Sequence, residues 1–398
     1  MRTPFDMRGR RLGLPARRLL AMASIGLALA GLASVGCAGS NRIGPPISAR
    51  QQEASARFDS AQLRTLGYSR GWRAYPVVTR GKRVEQVAVY DDIILVLEGG
   101  STLSAIDAVD GSIRWSSQLD TPITPFLGIE REGNLVYANS TSELYVLDAL
   151  TGELRARQSL PLVVTTGAVR VNGQLLFGCA DGQIFGYMPT RQVKLWGNQL
   201  NHPVGHRAVD VGGIAAFVST GGDVMFIDPS RGARVMRAGN GAQFNALFDG
   251  PGAPPMAAPG ILLVPSNDQS LWAFTPASSR HLWRVPTDGP VTSRPGVHGD
   301  TAFITLPNLG FSAVDIGTGE IEWSLAGVDG ELVCVRDGLL IVFDARRQTI
   351  TQIDPATGDV FATVPVPGVR QVRAAGMVDA PIYLITDVGL FARFNPDA

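Results

Sequence analysis

A phrase of about ten residues recurs along this chain. "SAIDAVDGSI" starts at Ser104, "YVLDALTGEL" at Tyr145, "SAVDIGTGEI" at Ser312 and "TQIDPATGDV" at Thr351. When units are aligned on the residue before the turn, the series is Asp107, Asp148, Met188, Asp228, Thr275, Asp315, Asp354 and Asn395. Successive intervals are 41, 40, 40, 47, 40, 39 and 41 residues. A fixed period near 40 demands stacked copies of one small unit, because such a unit cannot bury its apolar faces alone. The long interval contains "DGPGAPPMAAPG" (249–260), read as an insertion.

Each unit repeats one grammar. In 121–160, "PFLGIER", "NLVYANS", "ELYVLDA" and "ELRARQSL" are four short strand-like runs separated by Glu-Gly-Asn, Ser-Thr-Ser and Leu-Thr-Gly. Runs this short, rich in Val, Ile, Leu and Phe, suit buried strands rather than helices. Four strands per 40 residues is the grammar of a propeller blade. The expected fold is therefore all-β, an eight-bladed propeller of four-stranded blades over residues 71–398.

The turn phrase has a physical reason. An Asp such as Asp107, Asp148, Asp228, Asp315 or Asp354 can accept hydrogen bonds from backbone N–H groups two or three residues on. The Gly that follows supplies a positive φ. Eight positions after the turn residue stands a Trp in four units: Trp115, Trp196, Trp283 and Trp323. On an outer strand each can lie against the next blade and bury on the order of 200 Å². The eighth unit supplies three strands and the chain stops, while an orphan strand carrying Trp72, "RGWRAYPVV", precedes the first unit. The N-terminal strand is expected to complete the last blade and close the ring, hiding strand edges that otherwise promote aggregation.

The N-terminus reads as an export signal. Residues 1–36 hold six Arg, one Asp and an 18-residue apolar run from Leu19 to Gly36, rich in Ala and Gly and ending in small residues. A cleaved signal is favoured over a membrane anchor. "SVGC" resembles a bacterial lipobox, which implies lipid attachment at Cys37, although Ser34 departs from the pattern. The Arg10–Arg11 and Arg17–Arg18 pairs fit a twin-arginine signal poorly. Residues 37–70 read as the lipid-bearing Cys and a tether with a short helix. Ala38 after the Cys favours the outer membrane over the inner. Without residues 1–36 the body has 29 basic and 34 acidic residues, not the basic footprint of a nucleic-acid binder.

On Asp107–Trp115, Asp148–Arg155, Asp315–Trp323 and Asp354–Phe361, the repeats resemble those of the pyrroloquinoline-quinone (PQQ)-type propellers. That resemblance covers about residues 71–398 and is specific for fold, less so for function. It implies two branches. Quinoprotein dehydrogenases hold PQQ and calcium, typically with an adjacent Cys pair. Cys179 and Cys334 are far apart in apolar runs, where buried free thiols are expected, and no compact calcium cluster is visible. The other branch is the outer-membrane assembly lipoproteins, non-enzymatic eight-bladed propellers that serve a β-barrel insertase. Length, lipobox and repeat number resemble this second branch. It implies a periplasm-facing lipoprotein, monomeric within a complex, with no cofactor or metal and an envelope protein as partner, the insertase being the candidate. A general envelope-binding propeller is the remaining alternative.

Other motifs are weak. His202 and His206 are four apart, but Pro203 and Gly205 argue for a loop rather than a metal-binding helix. "GNGAQF" lacks the third Gly of a dinucleotide fingerprint. Because strands alternate direction, the Thr-Gly turns share a face with the first-to-second turns, and the 249–260 segment is placed there. The blade-to-blade connections occupy the opposite face. Their loops on a rigid scaffold are the expected binding elements. His206, Arg207, Arg294, Arg370 and Arg373 are the candidates for a polar ring there.

Overall fold

The computed structural model describes residues 46–234, 243–245, 249–278 and 280–397. They contain eight antiparallel sheets arranged as blades. Blade 1 is built from Val84–Val89, Ile93–Glu98, Thr102–Asp107 and Ile113–Gln118, in that order from the innermost strand outward. Blades 2, 3, 5, 6 and 7 repeat this meander, beginning at Phe126, Val169, Met256, Gly296 and Glu331 respectively. Blade 8 consists of Val369–Ala374, Ile382–Thr386 and Phe391–Pro396, with Tyr68–Ala74 as its outermost strand. Tyr68 pairs with Pro396, Arg70 with Phe394 and Ala74 with Phe391.

Burial follows from this geometry. Both middle strands of blade 1 are buried at nearly every position, because neighbouring blades cover both faces of the sheet. Its outer strand is exposed at Ile113, Ser116 and Gln118 and buries Trp115. The core is therefore a circle of inter-blade clusters. One joins Leu95 and Trp115 to Ile129 and Tyr145, and another joins Ile94 and Ile106 of blade 1 to Tyr383 and Phe391 of blade 8.

Blade 4 departs from the pattern, and corrects the placement of the insertion. Its outer strand is in two pieces, Ala233–Arg234 and Gln243–Asn245, both pairing with Asp223–Asp228. Ile227 pairs with Arg234, whereas Met225 pairs with Gln243. The extra residues therefore lie between Arg234 and Gln243, outside the described residues. Residues 249–260 are ordinary repeat: Pro251 bridges to Ser266 as Val164 does to Cys179 and Val204 to Ser219. Met256–Ala258 is then the innermost strand of blade 5.

From Pro46 onward, the segment read as a tether is docked on the propeller. Ser48 and Gln51 form a reciprocal capping box that starts a helix over Ala49–Ser55. Gln52 is buried and donates to the carbonyls of Pro76 and Val388, both at 2.9 Å. Ser55 bonds Thr386. Phe58, Leu63 and Leu66 enter a core with Val364, Val369 and Phe394 from blades 7 and 8. Their alternation with polar residues was too irregular to reveal this face. The export-signal reading and Cys37 lie outside the described residues.

Candidate docking face and channel

The repeat positions form an inter-blade lock. The Asp148 carboxylate accepts from Leu150 N and Thr151 N at 2.9 and 3.0 Å, tightening the turn that ends at Gly152. Asp107, Asp228, Asp315 and Asp354 hold their turns in the same way. Each Trp reaches the turn of the next blade. Trp115 Nε1 donates to Ala149 O, Trp283 to Ile316 O and Trp323 to Pro355 O, at 2.7–2.9 Å. Trp72 of blade 8 donates to Ala108 O of blade 1 at 3.2 Å. In every one of these cases the acceptor follows the turn Asp.

Two glutamines extend the lock, and neither was picked out from the sequence. Trp196 Nε1 donates to Gln174 Oε1 at 2.8 Å, and Gln174 Nε2 donates to Pro229 O at 2.8 Å, so the amide relays the bond to the next blade. Blade 2 has Ala156 at the Trp position, and Gln158 donates to Pro189 O instead, at 3.1 Å. The gap in the Trp series was the available signal. Such buried bonds matter because an unpaired carbonyl between blades would carry its full desolvation cost.

The polar candidates lie at the inner ends of the blade-to-blade connections, lining two concavities rather than one continuous ring of loop tips. His206, Arg207 and Arg294 border a concavity of about 480 Å³ that touches the innermost strands of blades 2–5 and the connection leading into blade 6. Arg370 and Arg373 border one of about 640 Å³ between blades 6, 7 and 8. Arg207 is committed elsewhere in the fold, to the Glu130 carboxylate and Ala168 O. Burial pushes the Glu130 carboxyl up, against the opposing pull of Arg207. Arg370 pairs with Asp387 at 3.3 Å. Burial also lowers the His206 imidazole. The Arg373 guanidinium is lowered by burial, with Glu331 opposing and the Arg294 charge reinforcing the shift.

Beside this channel a polar knot fixes the connection between blades 3 and 4. The fully buried Asp223 carboxylate accepts from Ser219 Oγ at 2.9 Å, Asn201 Nδ2 at 3.0 Å and Asn201 N at 3.2 Å, and lies 2.8 Å from His202 Nδ1. Burial works to raise its pKa, but these bonds outweigh it and hold the carboxyl below its ordinary value. Ser219 and His202 both address the carboxylate, so the cluster is an anchor for the loop. Farther out, the connections carry exposed apolar tips: Ile123 is 81% and Val163 65% exposed.

Among the described residues no three His, Cys, Asp or Glu side chains gather in a metal-holding group. Cys179 and Cys334 are free, buried thiols, and Cys334 lies 3.3 Å from the Tyr68 hydroxyl.

The fold has known counterparts. A computationally designed protein, Ika8, superposes with a TM-score of 0.64 at 14% identity, covering 79% of this chain and 96% of its own. BamB from Moraxella catarrhalis superposes with a TM-score of 0.63 at 15% identity, covering 82% and 97%. No curated protein sequence matches the chain. The sequence profile of a family described as outer membrane protein assembly factor BamB matches residues 67–285 and 180–326. Together these matches span more than half of the sequence, and the chain belongs to that family.

Proposed function

We propose that this protein is a non-enzymatic scaffold of the bacterial cell envelope, acting in outer-membrane β-barrel assembly by protein docking. The family match over residues 67–326 carries this reading. The N-terminal sequence adds a lipobox-like "SVGC" ending at Cys37, whose lipidation would hold the propeller at a membrane.

The docking face is assigned to the blade-to-blade connections. Ile123 and Val163 lie in consecutive blade-to-blade connections and are both exposed, so this face carries two apolar tips on neighbouring loops. Apolar side chains on loops held by rigid blades can be buried by a partner with little ordering cost. The opposite face also exposes Val109 and Leu150, but these sit in the Asp-anchored turns that the fold itself requires.

The test is photo-crosslinking in native membranes, with the crosslinker at position 123, 163 or 150. The reading expects a membrane barrel protein from positions 123 and 163 and much less from 150. Equal crosslinking from all three would remove the face assignment. No barrel protein from any of them would remove the assembly role.

A further inference from the structure

The connection from blade 8 to blade 1, "YPVVTRGKR" (75–83), differs from the others in charge. It holds Arg80, Lys82 and Arg83 and no acidic residue, whereas each of the other blade-to-blade connections holds at most one Lys or Arg. Its shape is fixed by backbone bonds. Lys82 N donates to Thr79 O at 2.9 Å, closing a turn around Arg80 and Gly81, where φ is +82°. The buried Glu98 carboxylate accepts from Thr79 N and Thr79 Oγ1, both at 3.3 Å, and Arg83 O accepts from Gly99 N at 3.0 Å. Arg80 and Arg83 are exposed, as is Val77. Lys82 Nζ donates to Pro122 O at 3.2 Å and so joins this connection to the next, which carries Ile123.

Among the described residues, neither Arg80 nor Arg83 makes an ion pair or a side-chain hydrogen bond. Glu85 stands over Gly99 instead, and Glu98 is committed to Thr79 and Thr102. A guanidinium left free on a fixed turn offers parallel donors matched to phosphate oxygens. The docked N-terminal segment enters beside this same turn: Ile47 N donates to Val78 O at 2.8 Å, and Pro46 bridges to Thr79. Cys37 precedes Pro46 by nine residues, so at most about 30 Å of chain separates a lipid on Cys37 from the basic turn. One lipid anchor joined to a basic patch is a combination that holds a protein stably at an anionic membrane.

We infer that Arg80, Lys82 and Arg83 form a headgroup-binding patch for anionic phospholipid, turning the blade-to-blade face toward the membrane that holds Cys37. The inference rests on the lipid attachment proposed above. It places the tips Ile123 and Val163 on the membrane side of the disc, where a membrane-embedded partner stands.

The test uses the full chain purified from its native membranes and mixed with vesicles of phosphatidylethanolamine, with or without about one-third phosphatidylglycerol. A fluorophore is placed by Val77→Cys, or by Val109→Cys on the opposite face as control, and quenched by headgroup-labelled lipid. With phosphatidylglycerol, quenching at 77 should exceed that at 109 at least threefold. The excess should vanish in Arg80→Glu with Arg83→Glu, shrink in Arg80→Gln with Arg83→Gln, and fall at high salt. The mass of the N-terminal fragment shows separately whether Cys37 carries lipid. If it does not, the anchoring falls, and the patch is read by sedimentation with the phosphatidylglycerol vesicles, which each arginine removed should weaken about fivefold. Equal quenching at both positions, or binding indifferent to phosphatidylglycerol and to the arginines, would overturn the inference.

Discussion

The indole of Trp115 in blade 1 covers Gly152 in blade 2 so closely that a Cβ there would stand 2.4 Å from the ring. Gly152 also has φ +70°, so its conformation and its neighbour both demand glycine. The same contact recurs between Trp72 and Gly111, Trp196 and Gly232, Trp283 and Gly319, and Trp323 and Gly358. Each joint thus pairs the Trp of one blade with the turn phrase of the next, so every blade supplies one half to each neighbour.

Gly152→Ala is expected to cost about 3 kcal/mol, combining left-handed strain with overpacking. Gly173 provides the control, with φ +76° and open space around the missing Cβ. Gly173→Ala should cost only about 1–2 kcal/mol. Urea unfolding of both variants checks this, and equal losses would show that the indole is not packed as described.

Gln174→Ala should destabilise by about 1–3 kcal/mol, although no large apolar side chain is removed. It leaves both Trp196 Nε1 and Pro229 O without their partner. The indole environment can be followed by near-ultraviolet circular dichroism. An unchanged signal with unchanged stability would contradict the relay.

Asp223 links stability to acid. Its folded carboxyl is held below the ordinary 3.8, so its stabilisation is present above that pH and is lost as pH falls through the folded value. Asp223→Asn should cost ~2–4 kcal/mol at pH 7. The gap between variant and parent should narrow between pH 5 and pH 2, as measured by unfolding at each pH. A constant gap would mean that packing, not charge, holds the loop.

The docked N-terminal segment should behave as part of the domain. Leu63 is wholly buried against blades 7 and 8, and Leu63→Ala should cost about 2–5 kcal/mol. Loss of stability below 0.5 kcal/mol would restore this segment to a loose tether.

Much of this architecture was legible because a ring of equivalent blades imposes the same local chemistry eight times. Asp148, Gly152 and Trp115 announce themselves by recurrence. What recurrence cannot show is the exception. The insertion in the long interval was misplaced because "DGPGAPPMAAPG" has the composition of one, although Pro251 keeps the register of Val164 and Val204. Phe58, Leu63 and Leu66 belong to no repeat, and the surface that receives them is assembled from residues 300 positions downstream. The channel arginines were picked out as loop charges. That Arg207 is neutralised by Glu130 depends on two blades meeting across a third, which no local pattern encodes.

The most direct test of the assembly role is to purify the full-length chain from chemically crosslinked native membranes and identify what it carries. The account predicts recovery of a membrane β-barrel insertase, reduced at least several-fold by Ile123→Asp with Val163→Asp while the propeller stays folded. An intact, crosslinked bait that carries other envelope proteins and no barrel insertase would contradict it.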